Sequence, residues 1–276
     1  MKSEELQQLE TRLPVIRRAR GYRLYDYRGK RYLDLYQQGG AGLLGHRPGN
    51  LNNLLKDLLS RGLAGDLPSI YQKRLEKALL ARFPGYRGVR IAASFAQALE
   101  LGSRHLGRPL SAEDVRDPLT SPAAAAATTE AACWRPLSPA AATAAAQAEV
   151  LFPLLPFSLG GAPACVCFRR PLPASFPVPS PLSPLILAGA LRALHDLERY
   201  APAPWFRPDL FDSAPGWTQQ GIYLLSTSPR AEYETIFLRF LEAGLLLSPR
   251  WPGPSILPAE ASPGEVKRLL ELFKKG

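Results

Sequence analysis

The residues able to do chemistry in this 276-residue chain are few, and their placement narrows what they can do. The histidines are His46, His105 and His195, too dispersed to form a visible cluster, and each reads as structural or exposed. Cys133, Cys165 and Cys167 supply no disulfide framework. Cys165-Val166-Cys167 reads as part of a buried strand, because no further cysteine or nearby histidine completes a metal set. A lysine becomes a usable amine when apolar surroundings lower its pKa. The lysines are Lys2, Lys30, Lys56, Lys73, Lys77, Lys267, Lys274 and Lys275, so Asp57 to Glu265 holds only Lys73 and Lys77. Those two share a predicted helix with Arg74 and Glu76 and read as solvated. The remaining signal is a loop in which Gly39, Gly40, Gly42 and Gly45 precede His46. Backbone there must pass close to something, turn sharply, or both.

The elements around these residues follow from pattern. Leu6 and Leu9 among Glu and Gln predict a short amphipathic helix over 3–12, before Pro14. Residues 22–35 predict a hairpin: Tyr22, Leu24 and Tyr27 lead into Arg28-Gly29-Lys30, and Tyr32, Leu33 and Leu35 lead out. Leu51, Leu54, Leu55, Leu58 and Leu59 give a helix over 50–61 one apolar face. Ser69 is placed to cap a second helix, with Leu75, Ala78, Leu79 and Phe83 on one side, stopping at Pro84-Gly85. Residues 88–92 predict a strand, and Ser94 opens a third helix that Gly107 ends. The run 122–148 is mostly Ala with Ser, Thr and Pro, and it reads as a variable, partly ordered connection. Asp114 and Asp117, in the polar stretch before it, read as surface and helix-start residues. Leu187, Leu191, Leu194 and Leu197 form one face of a later helix, and 221–225 predicts a strand. A last helix starts with a capping box, Ser262 with Glu265, and Pro263 at its first position.

Composition bounds the class. Hydrophobic residues make up 46%, enough for a sizeable core, and 34 Lys plus Arg against 24 Asp plus Glu give a net charge of +10. The basic residues are scattered, and no Arg/Lys run with interleaved aromatics marks a groove binder, so no specific nucleic-acid partner is expected. No apolar run spans a bilayer, and the charged N-terminus lacks a signal-peptide core, so no membrane is expected and the cytoplasm is the default.

The order of motifs carries more than any one of them. Gly-Tyr-x-Leu-Tyr-Asp (21–26), Gly-Lys-x-Tyr-Leu-Asp (29–34) and a glycine segment closing on Leu-Gly-His-x-Pro (44–48) resemble the N-terminus of class III pyridoxal-phosphate-dependent aminotransferases, closest to the glutamate-1-semialdehyde aminomutase branch. The helix ending in Phe-Pro-Gly, the strand, the Ser94 turn and the helix ending in Gly107-Arg108 continue the match. Leu159-Gly160-Gly161-Ala162-Pro163 resembles the family's Lys-x-Leu-Gly-Gly-Gly-x-Pro, and Ala174-Ser175-Phe176 its Ser-Thr-Phe. The resemblance implies an α/β protein: a shortened version of the fold type I architecture, with a small α+β domain built from both chain ends. It divides the chain into an N-terminal segment, 1–48, a reduced large domain, 49–200, with an Ala/Pro-rich connection at about 109–148, and a C-terminal small-domain part, 201–276. It also implies a dimer interface along the glycine segment 39–45, as a homodimer or a heterodimer with a related aminotransferase.

The resemblance assigns cofactor-binding positions to Ser94, Ser175, Gly160 and Gly161, with pyridoxal phosphate as the cofactor. Three departures fall on that cofactor. Phe95 stands where the phosphate turn needs small donating residues. The interval that carries the family's pyridine-pairing Asp is missing. Phe157 occupies the position of the Schiff-base lysine, so no catalytic residue is carried over. The chain therefore reads as a class III aminotransferase-like protein with transamination lost. Two other readings stand beside it: an active pyridoxal-phosphate aminotransferase or aminomutase using another amine, and a non-enzymatic subunit partnering a complete aminotransferase.

Overall fold

The computed structural model describes residues 9–46, 48–120, 130–157, 162–211 and 214–274. In chain order the strands are β1 (Ile16–Arg20), β2 (Arg23–Asp26), β3 (Arg31–Asp34), β4 (Gly88–Ala92), β5 (Ala131–Trp134), β6 (Val150–Pro153), β7 (Ala164–Phe168), β8 (Trp217–Gln220), β9 (Tyr223–Ser226), β10 (Leu245–Leu246) and β11 (Ser255–Ile256). The helices are α1 (Leu51–Ser60), α2 (Ile70–Arg82), α3 (Phe95–Leu106), α4 (Pro139–Gln147), α5 (Pro184–Leu197), α6 (Arg230–Glu242) and α7 (Pro263–Lys274). The chain divides into two compact units, one of residues 1–48 with 200–276, the other of residues 49–199.

The smaller unit joins the two chain ends. Its first sheet has the order β1-β2-β3-β10. The hairpin β2–β3 turns at Gly29, where φ is +86°, and the Asp26 carboxylate accepts the Arg28 and Lys30 N–H groups at 2.9 and 2.8 Å. A glycine there avoids the Cβ penalty of left-handed backbone. Parallel β10 extends the sheet by pairing Leu245 with Leu33 and Leu246 with Asp34. A second sheet, β11-β9-β8, is antiparallel. The capping box at α7 forms: Ser262 N–H donates to Glu265 Oε2 at 2.7 Å, and Glu265 N–H to Ser262 Oγ at 3.3 Å. Residues 3–8 of the expected first helix lie outside the described residues, and Glu10–Arg12 forms a 3-10 turn.

The larger unit holds a four-stranded sheet of order β4-β7-β6-β5, in which β5 and β6 are parallel and β7 is antiparallel to both its neighbours. Its core includes Val150, Phe152, Val166, Phe168, Leu101 and Ala131. Two sequence expectations need correction. The Ala-rich stretch does not act only as a connection: all four residues of β5 are buried, and α4 follows it. Hydrogen bonding to β6 overrides a local composition that signals no strand. Residues 121–129 of that stretch lie outside the described residues. On α1, Leu51 and Leu58 are buried, but Leu59 is 54% exposed, because it falls past the edge of the apolar stripe.

Candidate functional site

The glycine segment both turns and passes close. Gln37, Gln38, Gly39 and Gly40 all have positive φ, at 42°, 50°, 69° and 118°. For the two glutamines this costs about 1 kcal/mol each. Two bonds hold Gln37 there: its N–H donates to Asp34 Oδ1 at 2.9 Å, and its side-chain Nε2 donates to the Ile256 carbonyl at 3.0 Å. A Cβ at Gly42 would lie 3.2 Å from the Gln37 backbone, and one at Gly45 3.1 Å from the Gly21 carbonyl. His46 Nε2 then meets Asp34 Oδ2 at 2.9 Å, beside a cavity of about 300 Å³ that Leu24, Tyr36 and Leu246 also line.

The expected cofactor positions lie in the larger unit. Ser94 is the N-cap of α3, as read from the sequence, and its hydroxyl accepts the Gln97 N–H at 3.2 Å. Gln97 Oε1 in turn accepts the Ala93 N–H at 3.1 Å. This reciprocal cap satisfies donors that an anion would otherwise recruit at a helix start. Phe95 is 42% exposed and meets the Phe152 ring edge-on, with centroids 5.4 Å apart.

Ser175 is exposed, next to Phe176, which packs on His105 near the far end of α3. Ser94 and His105 are therefore separated by about 16 Å of helix rise, and Ser94 and Ser175 form no common site within this chain. Gly160 and Gly161 lie outside the described residues.

Phe157 is 1% exposed. Its ring lies against the bare backbone of Gly189 in α5: a Cβ there would sit 2.3 Å from Phe157 Cε2. The position that the resemblance matches to the family lysine is thus a packed core contact. Lys30, Lys56, Lys73, Lys77, Lys267 and Lys274, the lysines among the described residues, are all exposed, and none lies in an apolar enclosure. Lys2 and Lys275 lie outside the described residues. Asp114 caps a 3-10 turn with Ser111, and Asp117 is bound by Arg135. These residues do not fit pyridoxal phosphate: the amine position is apolar and the helix N-terminus is internally capped.

Other groups are equally committed. Burial pushes the Cys133 and Cys165 thiols up to about 12 and raises Cys167 as well, so none supplies a thiolate. His105 bonds Glu149 at 2.9 Å, and Arg170 bonds the same carboxylate at 2.7 Å. Burial alone would raise Glu149; these two partners outweigh it and lower its pKa. His195 is exposed. Among the described residues, no group of three His, Cys, Asp or Glu side chains is arranged to hold a metal ion, and no helix is long and apolar enough to cross a membrane.

Sequence reasoning missed the long-range partner of Glu265 and the pairing of Asp34 with His46. Arg23 donates to Glu265 through Nε at 3.0 Å and Nη2 at 2.7 Å, joining the first hairpin to the last helix. No local pattern marks a pair 242 residues apart. The Asp34–His46 pair was likewise legible only as two motif residues.

No family model matches the chain. It is 30% identical to an uncharacterized protein of Treponema pallidum over 292 aligned positions, covering 88% of each chain. It is 34% identical over 102 positions to glutamate-1-semialdehyde 2,1-aminomutase of Heliobacterium modesticaldum, a match spanning 35% of this chain and 23% of the aminomutase. The fold is similar to acetylornithine aminotransferase from Elizabethkingia anophelis (TM-score 0.67, 15% identity, covering 95% of this chain and 93% of that one). It is equally similar to ornithine aminotransferase from Plasmodium yoelii (TM-score 0.67, 14% identity, covering 95% and 93%). The chain thus belongs to one family with the Treponema pallidum protein and is a shortened relative of the class III pyridoxal-phosphate-dependent aminotransferases.

Proposed function

We propose that this aminotransferase-like protein has lost transamination and acts as a non-catalytic subunit. The observation that carries the reading is Phe157: the position matching the Schiff-base lysine is filled by a buried ring seated on Gly189. No described lysine takes its place, since all of them are exposed rather than held in an apolar site. The internally capped start of α3 supports the same reading, because cofactor phosphate has fewer donors to recruit there.

The subunit works as a dimer, with a second copy or with a complete aminotransferase, through the surface that includes the glycine segment 39–45. Its free cysteines fit a reducing compartment such as the cytoplasm. The test is absorbance after incubation with pyridoxal phosphate and desalting. The expected result is a colourless protein, and a stable yellow adduct overturns the reading. Light scattering checks the assembly: a dimer is expected, and a monomer at high concentration contradicts self-pairing.

A further inference from the structure

Strand β1 forms the outer edge of the small unit's first sheet. It pairs with β2, and among the described residues no strand lies on its other side. Such an edge presents backbone N–H and C=O groups and side chains to a partner. From Val15 to Arg20 every residue except Ala19 is exposed, with Val15 at 70% and Ile16 at 38%. Arg17, Arg18 and Arg20 lie on this edge and form no ion pair with an acidic side chain among the described residues. The Arg18 guanidinium lies 4.1 Å above the Tyr25 ring, which holds it in place. Tyr27 is 59% exposed and accepts a hydrogen bond from Arg28 Nε at 2.8 Å.

Two nearby carboxylates are committed elsewhere: Asp26 closes the hairpin, and Glu10 binds Arg250 at 2.7 Å. The exposed Glu260 lies beside Gly21, at the Arg20 end of the strand, and leaves Arg17 and Arg18 unpaired. Among the described residues the edge is therefore a strip of net positive charge with apolar side chains set into it.

Arginines on an edge strand guard against pairing with a second copy, because like charges would face each other. Guarding does not account for Val15, Ile16 and Tyr27, whose exposure is a liability on a purely defensive edge. A polyanion such as nucleic acid would satisfy the arginines but leave those apolar groups in water. The register shift between Ile16 and Arg18 keeps the regular edge short, so side chains rather than a long ladder must carry the contact. We propose that this edge docks an acidic, partly apolar segment of a partner protein.

The test uses the full-length protein and a fluorescent peptide of alternating glutamate and valine, read by anisotropy. The peptide is expected to bind, with affinity falling as salt rises. A glutamate–serine peptide should bind at least about fivefold more weakly, because it leaves Val15 and Ile16 unpartnered. The double variant Arg17→Glu/Arg20→Glu should lose at least about tenfold in affinity, while Arg17→Lys/Arg20→Lys retains most of it. Circular dichroism establishes that each variant is folded, and a charge-neutral Arg17→Gln/Arg20→Gln variant decides the matter if the glutamate variant is not. Absence of peptide binding at low salt overturns the proposal. So does wild-type affinity in the glutamate variant, or tighter binding of a single-stranded oligonucleotide or anionic phosphatidylglycerol vesicles than of the peptide.

Discussion

Replacing Phe157 by alanine should be among the most destabilising single changes in the larger unit. The ring is fully enclosed, and removing a buried phenylalanine costs about 3–5 kcal/mol through lost transfer energy and the cavity left behind. That is a large part of a domain stability of roughly 5–15 kcal/mol. The complementary change, Gly189→Ala, places a methyl 2.3 Å from Phe157 Cε2. Overpacking of this kind costs about 1–3 kcal/mol, offset by roughly 0.5–1 kcal/mol from the better helix propensity of alanine. In the double variant the methyl enters space the ring has left, so the two costs should not add. The cycle should return a coupling of about 1–2 kcal/mol in the favourable direction. Urea unfolding of the four proteins, followed by circular dichroism, measures all of these terms. If Gly189→Ala is neutral and the effects add, Phe157 does not seat on Gly189, and the case for a core residue at the lysine position fails.

Three further outcomes are expected. Glu265 is 7% exposed at its side chain; burial alone would raise its carboxyl, but the Arg23 and Ser262 bonds outweigh this and hold it at about 2. Because the folded value lies below the unfolded one of 4.5, this stabilisation is present above pH 4.5 and disappears as pH falls toward 2. It amounts to about 3 kcal/mol, so Glu265→Gln should lower stability at neutral pH and flatten the acid limb of an unfolding-midpoint curve. Ser94→Ala should cost about 1 kcal/mol by removing the α3 cap, measured by thermal unfolding. The three cysteines should be silent to a water-soluble thiol reagent in the native protein and react fully in denaturant, since all are buried with raised pKa values.

What the sequence makes legible is local. The hairpin follows from alternation around Gly29, and α3 from Ser94 and Gly107 at its two ends. The larger order of elements follows from the motif resemblance rather than from propensity. What stays hidden is set by distant partners. Strand β5 exists because Ala131–Trp134 pairs with β6, and nothing in an alanine- and proline-rich run announces that pairing. The left-handed conformation of Gln37 rests on bonds to Asp34 and Ile256, from opposite ends of the chain. Ser94 was readable as the cap of α3, but not its reciprocal bonding with Gln97 or the seat of Phe157 on Gly189. Side-chain commitments of that kind arise only after tertiary packing.

The most direct test of the central claim is borohydride reduction of the protein after saturation with pyridoxal phosphate, followed by intact-mass measurement and peptide mapping. The account predicts no stoichiometric adduct, only scattered low-level modification of exposed lysines. One adduct per chain, mapped to a single lysine, would contradict it.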